Sequence, residues 1–248
     1  MGSGYYAAGT ALMARTQELD TIANNLANVS TAGYRAEKEV FSSVLADAGN
    51  SDDLLTSDMD RAVNDFGVMS GTSLDMSQGT LQKTGNELDM AIQGLGFFAV
   101  QTAHGPVYTR NGSFQVSANR QLVTSAGDPV LGQNGPITMV PGPISISPDG
   151  TISSNGATAG KLQVVDFPAG TQIECLGGTY YSAPAGKAQP SPNSTVLQGV
   201  VESSNVNPIT AMVQLVTAQR SAESMQRAMA MFNSEMDKTA TQELPKVG

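Results

Sequence analysis

Apolar residues recur at heptad spacing near both ends of the chain, and this pattern constrains the fold more than any other feature. Near the N-terminus the apolar positions lie three, four or seven residues apart: Leu12, Leu19, Ile22, Leu26 and Val29. Near the C-terminus they lie three or four apart: Leu215, Ala218, Ala222, Met225, Met229, Phe232 and Met236. Such a seam is typical of a helix that packs along another helix. We therefore predict long terminal helices that pair in a coiled-coil-like layer.

Local signals predict where these helices begin and end. The first is expected over residues 5–29 and is followed by Gly33, a residue suited to a left-handed helix cap. The second is expected over residues 208–243, because Asn207 is a favourable N-cap and Pro208 suits the first helical position. Three apolar residues are expected to broaden the second seam at its start: Met212, Val213 and Val216.

Three asparagines lie within two turns of the predicted N-terminal helix, although asparagine is a mediocre helix former whose amide competes for backbone groups. The heptad places Asn25 beside the seam, and it places Asn24 and Asn28 on the outer face of the helix. We expect these amides to form hydrogen bonds with other helices in a crowded assembly.

The middle of the chain alternates short β-prone runs with turn residues. Residues 96–101 and 106–110 predict a hairpin around His104-Gly105, and residues 113–116 and 121–124 predict a second pair. Further strands are predicted at residues 137–140, 144–146, 151–153, 161–167 and 179–182. Many short strands at close spacing favour an antiparallel β domain over a βαβ sheet. The predicted fold class is therefore α+β.

Four parts follow from these patterns. They are an N-terminal helix at residues 1–34, a connector at 35–80, a central β domain at 81–200 and a C-terminal helix at 201–248. The connector is expected to be extended and solvated, because it is rich in Asp and shows no persistent apolar period.

Composition excludes several classes of function. The net charge of −9, with only 13 scattered basic residues, argues against nucleic acid and against an anionic membrane surface. No run approaches the roughly 20 apolar residues of a membrane span, so no direct membrane insertion is expected. The first twelve residues lack the basic and apolar regions of a Sec signal. Cys175 is the single cysteine, which excludes an intrachain disulfide.

No pattern of an enzyme is present in the sequence. His104 is the single histidine and falls in a predicted turn, so neither a catalytic triad nor a zinc site has support. Gly94 and Gly96 lack the third glycine and the following helix of a dinucleotide loop. We predict no catalytic residues, no metal, no cofactor and no small-molecule substrate.

Several blocks of the chain resemble the bacterial flagellar rod and hook protein family. The blocks are LDTIANNLANVSTAGY at residues 19–34, LDMAIQGLGFF at 88–98, YTRNGSF at 108–114, ESSNVN at 202–207 and Gln219-Arg220. The resemblance implies a structural subunit of the basal-body rod that assembles through its terminal helices and transmits torque. It implies copies of itself and other rod proteins as partners. It also implies export by the flagellar type III apparatus, without a Sec signal, to the periplasmic rod.

Residues 129–137 and 144–152 resemble the proximal-rod members of the family more than the distal-rod members. Ser221-Ala222 departs from the family pattern, in which an aromatic residue is expected after Gln219-Arg220. A distal-rod or hook-type subunit is therefore the second choice, and a secreted β-rich adhesin module is the alternative from another class. The predicted assembly interface comprises Leu12, Leu19, Ile22, Asn24, Asn25, Leu26, Asn28, Val29, Leu215, Ala222, Met225, Met229, Phe232 and Met236.

Overall fold

The computed structural model describes residues 3–42, 68–192 and 194–242, which fall into two compact units. Of these residues, the helix unit comprises 3–26, 38–42, 68–72 and 208–242. The β unit comprises 27–37, 73–192 and 194–207. Each unit thus combines segments from distant parts of the sequence.

Two long helices dominate the helix unit. Helix α1 spans Ser3–Ala27 and helix α2 spans Pro208–Gln242, and the two pack together. At 1.5 Å per residue their lengths are about 38 and 52 Å. The predicted α+β class, with paired terminal helices and a central domain of short antiparallel strands, is confirmed. Helix α2 begins at Pro208, as the Asn-Pro signal predicts.

Helix α1 ends two residues before the predicted position. A turn follows Ala27, in which the Thr31 N–H donates to the Asn28 carbonyl at 3.1 Å and the Thr31 hydroxyl donates to the Asn28 side chain at 3.2 Å. The expectation that Gly33 caps the helix is wrong. Gly33 does adopt a left-handed φ of 71°, but its N–H donates to the Glu202 carbonyl at 2.7 Å.

Part of the predicted connector is a two-stranded ribbon. Strand β1 (Glu37–Ser42) pairs with strand β2 (Val68–Leu74). Most of the acidic stretch of the connector, residues 43–67, lies outside the described residues.

The β unit holds the remaining strands, and the pairs in its sheets are antiparallel. They are β3 (Leu81–Lys83), β4 (Met90–Gln93), β5 (Phe97–Thr102), β6 (Gly105–Thr109), β7 (Gln115–Val116), β8 (Leu122–Val123), β9 (Leu131–Gly132), β10 (Gly135–Pro136), β11 (Ile144–Ile146), β12 (Thr151–Ser154), β13 (Ala157–Lys161), β14 (Val164–Asp166), β15 (Glu174–Gly177), β16 (Tyr180–Ser182), β17 (Gln189–Pro190), β18 (Thr195–Gln198) and β19 (Val200–Glu202). Six of them form one sheet in the order β15-β16-β6-β5-β14-β17.

Both predicted hairpins are present. Strands β5 and β6 pair in register from Phe98 opposite Thr109 to Thr102 opposite Gly105, and β7 pairs with β8. Two further pairs join segments that are distant in sequence. Strand β18 pairs with β4, and β19 pairs with β3, so the C-terminal end of the unit completes strands near its start.

Two predicted strands are misplaced. Residues 137–140 contain only an isolated bridge at Thr138, because Gly135, at a φ of 106°, closes a tight turn that pairs Pro136 with Leu131. Residues 161–167 are split between β13 and β14. The backbone leaves the first ladder where the Leu162 N–H donates to the Gly150 carbonyl at 2.9 Å.

Two apolar clusters form the core of the β unit. In the larger cluster Phe98 and Phe114 meet edge to face, with ring centroids 5.1 Å apart. Its buried members are Met90, Ile92, Phe98, Phe114, Leu122, Val130, Ile137, Met139, Ile146, Ile152, Leu162 and Val196. The smaller cluster comprises Phe97, Val165 and Tyr181.

Candidate assembly site

The seam of helix α2 is its least exposed face. Among its described side chains, Ala211, Ala218 and Ala222 are buried. Leu215, Met225 and Met229 are half-buried. These six positions alternate four and three apart, so they lie along one side of the helix. The seam therefore begins at Ala211, one turn earlier than the sequence predicts.

A second apolar stripe lies on the opposite face of helix α2. Its side chains are strongly exposed: Ile209 at 74%, Met212 at 54%, Val213 at 62% and Val216 at 48%. The expectation that Met212, Val213 and Val216 broaden the seam is wrong for Val213 and Val216. At 3.6 residues per turn Val213 and Val216 point about 100–160° away from Ala211 and Leu215, whereas Met212 lies about 60° from Leu215 and borders the exposed face. Helix α2 consequently has two apolar faces over its first turns, and we name the exposed one the outer stripe.

Helix α1 has a corresponding half-buried face. Four apolar residues of the predicted interface are half-buried there: Leu12, Leu19, Ile22 and Leu26. Asn25 is half-buried beside them, whereas Asn24 is exposed. The most buried described side chain of the helix is Thr21, which heptad reasoning passes over because it is polar.

Several predicted interface residues lie elsewhere. Asn28 and Val29 follow the end of helix α1 and are both half-buried. The placement of Asn28 on the outer helical face is therefore wrong, since the heptad does not extend past Ala27. Phe232 and Met236 belong to helix α2, but their side chains are outside the described part of the chain.

A buried charge cluster lies in the β unit, and two of its members, Arg35 and Glu202, lie close in sequence to the ends of the two helices. The Glu202 carboxylate is 2.8 Å from Nη2 of Arg35 and 3.2 Å from Nη1 of Arg110. The three side chains are no more than 2% exposed. Arg110 also donates to the carbonyls of Ile92 at 3.1 Å and Gly94 at 2.7 Å. Two cations therefore share one carboxylate in the interior, and we name this triad with its surrounding hydrogen bonds the clasp.

The clasp joins three segments of the β unit that lie near its boundaries in the sequence. Arg35 donates to the Ser77 carbonyl, and the Gly79 N–H donates to the Glu202 carboxylate at 2.8 Å. The Asn205 amide donates to the carbonyls of Asp75 at 2.9 Å and Ser77 at 3.0 Å. Its oxygen accepts from the Ala36 N–H at 2.7 Å. Segments 33–36, 75–79 and 202–205 are thus joined by one network.

Burial sets the electrostatics of the clasp. Removal from water lowers the pKa of Arg110 to about 10, Glu202 opposes this shift, and the neighbouring Arg35 adds to it. The Arg110 guanidinium still keeps its charge at physiological pH and lies 5.4 Å from the centre of the Phe97 ring. Burial also raises the pKa of Tyr181, whose hydroxyl accepts from the Arg35 N–H at 2.9 Å.

Three glycines let the backbone approach closely around the clasp. A Cβ on Gly33 would lie 2.2 Å from the Asn111 nitrogen, and one on Gly79 would lie 1.9 Å from the Ser203 carbonyl oxygen. A Cβ on Gly112 would lie 1.6 Å from the Met90 carbonyl oxygen. These distances leave no room for a side chain.

Sequence reasoning from charge and spacing does not find the clasp, because its residues are far apart in sequence and form no local motif. A usable signal was nevertheless present. The blocks that carry the family resemblance contain Gly33, Gly94, Arg110, Glu202 and Asn205, and the structure gathers these residues in one place. A resemblance spread along the chain therefore marks one three-dimensional network.

Three models of known protein families match parts of the chain that include most of both terminal helices and the three charged residues of the clasp. The flagella basal body rod protein model matches residues 6–35, the flagellar hook protein FlgE/F/G D1 domain model matches residues 91–154, and the flagellar basal body rod FlgEFG protein C-terminal model matches residues 197–243. The chain is 34% identical over 243 residues to the flagellar basal-body rod protein FlgF of Mesorhizobium japonicum, covering 96% of each chain. This chain belongs to the flagellar basal-body rod protein family.

Other relatives agree. The chain is 32% identical to FlgF of Caulobacter vibrioides over 251 residues and 100% of both chains. It is 33% identical to the rod protein FlgG of Buchnera aphidicola (from Acyrthosiphon pisum) over 260 residues, with 96% of this chain and 95% of the relative covered. The protein is a FlgF-like structural subunit of the rod and not an enzyme, and the adhesin alternative is set aside. Neither described helix is long and apolar enough to cross a membrane.

Proposed function

We propose that this rod protein assembles through its terminal helices, and that the outer stripe of helix α2 is a contact to a neighbouring subunit. The observation that carries the proposal is the exposure of four apolar side chains on the helix face opposite the seam: Ile209, Met212, Val213 and Val216. A contiguous exposed apolar face commonly marks a protein–protein contact. Covering it removes apolar surface from water at roughly 25 cal/mol per Å².

The seam supplies a second part of the proposed interface. The described seam residues of helix α1 and of the α2 half at residues 215–229 are mostly half-buried, so a packed assembly has further apolar surface to cover. Contacts that do not close on themselves generate helical tubes rather than rings. We propose that the predicted interface set, including Phe232 and Met236, is covered in this way, and that the layer transmits torque through many modest repeated contacts.

The neighbours are proposed to be copies of this chain and other rod proteins. Family membership supports assembly with rod subunits in general. The resemblance of residues 129–137 and 144–152 to proximal-rod members supports a place in the proximal rod. We also propose export by the flagellar type III apparatus to the periplasmic space around the rod. A chain with a single cysteine requires no disulfide formation after such export.

Substitution of an exposed residue tests the stripe cleanly, since it leaves the monomer nearly unchanged. Val213→Asp is expected to change the free energy of unfolding of the purified protein by no more than about 0.5 kcal/mol, because surface substitutions seldom exceed this. In cells it should prevent incorporation into the rod, since a buried unpaired charge costs several kcal/mol per contact. The variant should therefore be missing from basal bodies isolated from those cells. Gln214→Asp, an exposed neighbour off the stripe, is the matched control. Normal incorporation of Val213→Asp would overturn the stripe as an interface.

A further inference from the structure

The clasp depends on a residue that lies near the C-terminal end of the β unit in the sequence. Arg35 and Arg110 supply two positive charges, and the single carboxylate that pairs with both comes from Glu202, 92 residues after Arg110. The Nε groups of both arginines have no hydrogen-bond acceptor in the described structure. Without Glu202 the same site would bury two uncompensated cations, which is strongly unfavourable.

The strands around the clasp depend on the same late segment. Strand β19 pairs Glu202 with Leu81 of β3, and β18 pairs with β4 from Thr195 opposite Gln93 to Gln198 opposite Met90. Strand β4 carries Met90 and Ile92, which are fully buried in the larger apolar cluster. A core strand of the β unit therefore obtains its partner from residues that follow nearly all of the unit.

Backbone hydrogen bonds also connect segment 202–205 to earlier parts of the β unit. The Glu202 carbonyl accepts from Gly33 at 2.7 Å, and the Ser203 N–H donates to the Thr80 carbonyl at 2.9 Å. One short segment thus satisfies backbone groups near the start of the unit and the charges of its buried site.

We infer that the clasp is a closing lock, which makes native packing of the whole β unit conditional on arrival of segment 202–205. A chain delivered N-terminus first, from the ribosome or through an export channel, keeps its β unit open until that segment is free. The consequence for export rests on the proposed function, whereas the lock itself is a property of the isolated protein. Premature closure of the β unit is avoided because the charge site cannot be buried early.

Hydrogen exchange of the full-length monomer across a urea series tests the lock. The clasp amides of Gly33, Gly79 and Ser203 are expected to open with the same free energy and urea dependence as the core amides of Leu122 and Val130. Such shared behaviour identifies one cooperative unit. The Thr171 amide, which donates to the Pro168 carbonyl at 3.1 Å in a surface turn, is the control and should exchange much faster. Clasp amides that open at far lower free energy than the core would overturn the lock.

A substitution provides the second arm. Glu202→Gln is expected to reduce protection of clasp and core amides together by about 100-fold or more, the scale set by breaking a buried ion pair. Glu174→Gln, at an exposed glutamate on β15 of the same unit, should change neither group. Loss of protection confined to the clasp amides would contradict the inference. Neither arm requires export or rod assembly, so failure here is distinguishable from failure of the proposed function.

Discussion

The helix unit and the β unit differ in how completely they bury large apolar side chains. The β unit buries large side chains completely, including Phe97, Phe98 and Tyr181 at 0% exposure, and even buries three charged residues in the clasp. In helix α2 the described buried side chains are alanines, while Ile209 and Val213 remain in water. The β unit therefore holds buried apolar clusters of its own, whereas helix α2 leaves apolar side chains exposed, and we propose that assembly covers them.

The largest expected effect is loss of assembly without loss of the β unit. Leu26→Asp, in the half-buried seam of helix α1, is expected to abolish incorporation into rods, because a charge without a partner is desolvated at every repeated contact. Thermal unfolding of the β unit, followed by near-ultraviolet circular dichroism, should be unchanged. Met229→Asp should behave alike, and the exposed Gln226→Asp serves as its control. Motile cells with normal rods carrying Leu26→Asp would contradict the seam assignment.

The converse substitution should damage the β unit itself. Gly112→Ala places a Cβ 1.6 Å from the Met90 carbonyl oxygen and strains the 3.0 Å bond from the Met90 N–H to the Gly112 carbonyl. We expect destabilisation by about 3 kcal/mol or more, measured by urea unfolding. In Gly160→Ala the nearest atom to the new Cβ is 3.5 Å away, so this control should cost less than about 1 kcal/mol. Equal stabilities would show that the close approach is not required.

A smaller effect is expected at alkaline pH. Burial raises the pKa of Tyr34 and of Tyr181 well above the ordinary value of about 10. Each tyrosine therefore stabilises the fold fully below about pH 10, and that contribution falls above it by up to about 1.4 kcal/mol per pH unit.

Tyr181→Phe separates the two contributions of this residue. At pH 7 the variant should be about 1 kcal/mol less stable, since the Arg35 N–H loses its acceptor. Above about pH 10 the difference from the parent should shrink, because the parent then loses stability faster. A constant difference between pH 7 and pH 11, measured by urea unfolding, would count against a buried neutral tyrosine.

The smallest effects concern two asparagines that the sequence treats alike. Asn24→Ala, on the exposed face of helix α1, should change monomer stability by no more than about 0.5 kcal/mol yet reduce rod assembly. Asn28→Ala should instead destabilise the monomer by about 1 kcal/mol, since its side chain accepts from the Thr31 hydroxyl. If Asn24→Ala cells assemble normal rods, the outer amides are not part of the interface.

Sequence reasoning succeeded where local pattern decides structure. The heptads and the Asn207-Pro208 signal predicted two helices, and His104-Gly105 predicted the β5–β6 hairpin. It failed where distant segments decide. Strands β18 and β19 form because they pair with β4 and β3, which lie more than a hundred residues earlier in the sequence. The split at Leu162 follows from the hydrogen bond that its N–H donates to the Gly150 carbonyl.

The candidate site divides in the same way. Heptad spacing predicted the least exposed face of helix α2, but it also placed Val213 and Val216 there, although helical geometry turns these two to the opposite face. The clasp escaped charge-pattern reasoning because Arg35, Arg110 and Glu202 are isolated charges in the sequence. Only the fold makes them neighbours.

Hydrogen exchange of the isolated monomer and of the assembled rod tests the central claim most directly. In the monomer, we predict amide protection in helices α1 and α2 at least about 100-fold below that of strands β4, β5 and β6, because helices with incomplete packing are marginal in water. In the rod, protection of the helices should rise to that of the strands. Equal protection of helices and strands in the monomer would contradict the claim that assembly completes the helix unit.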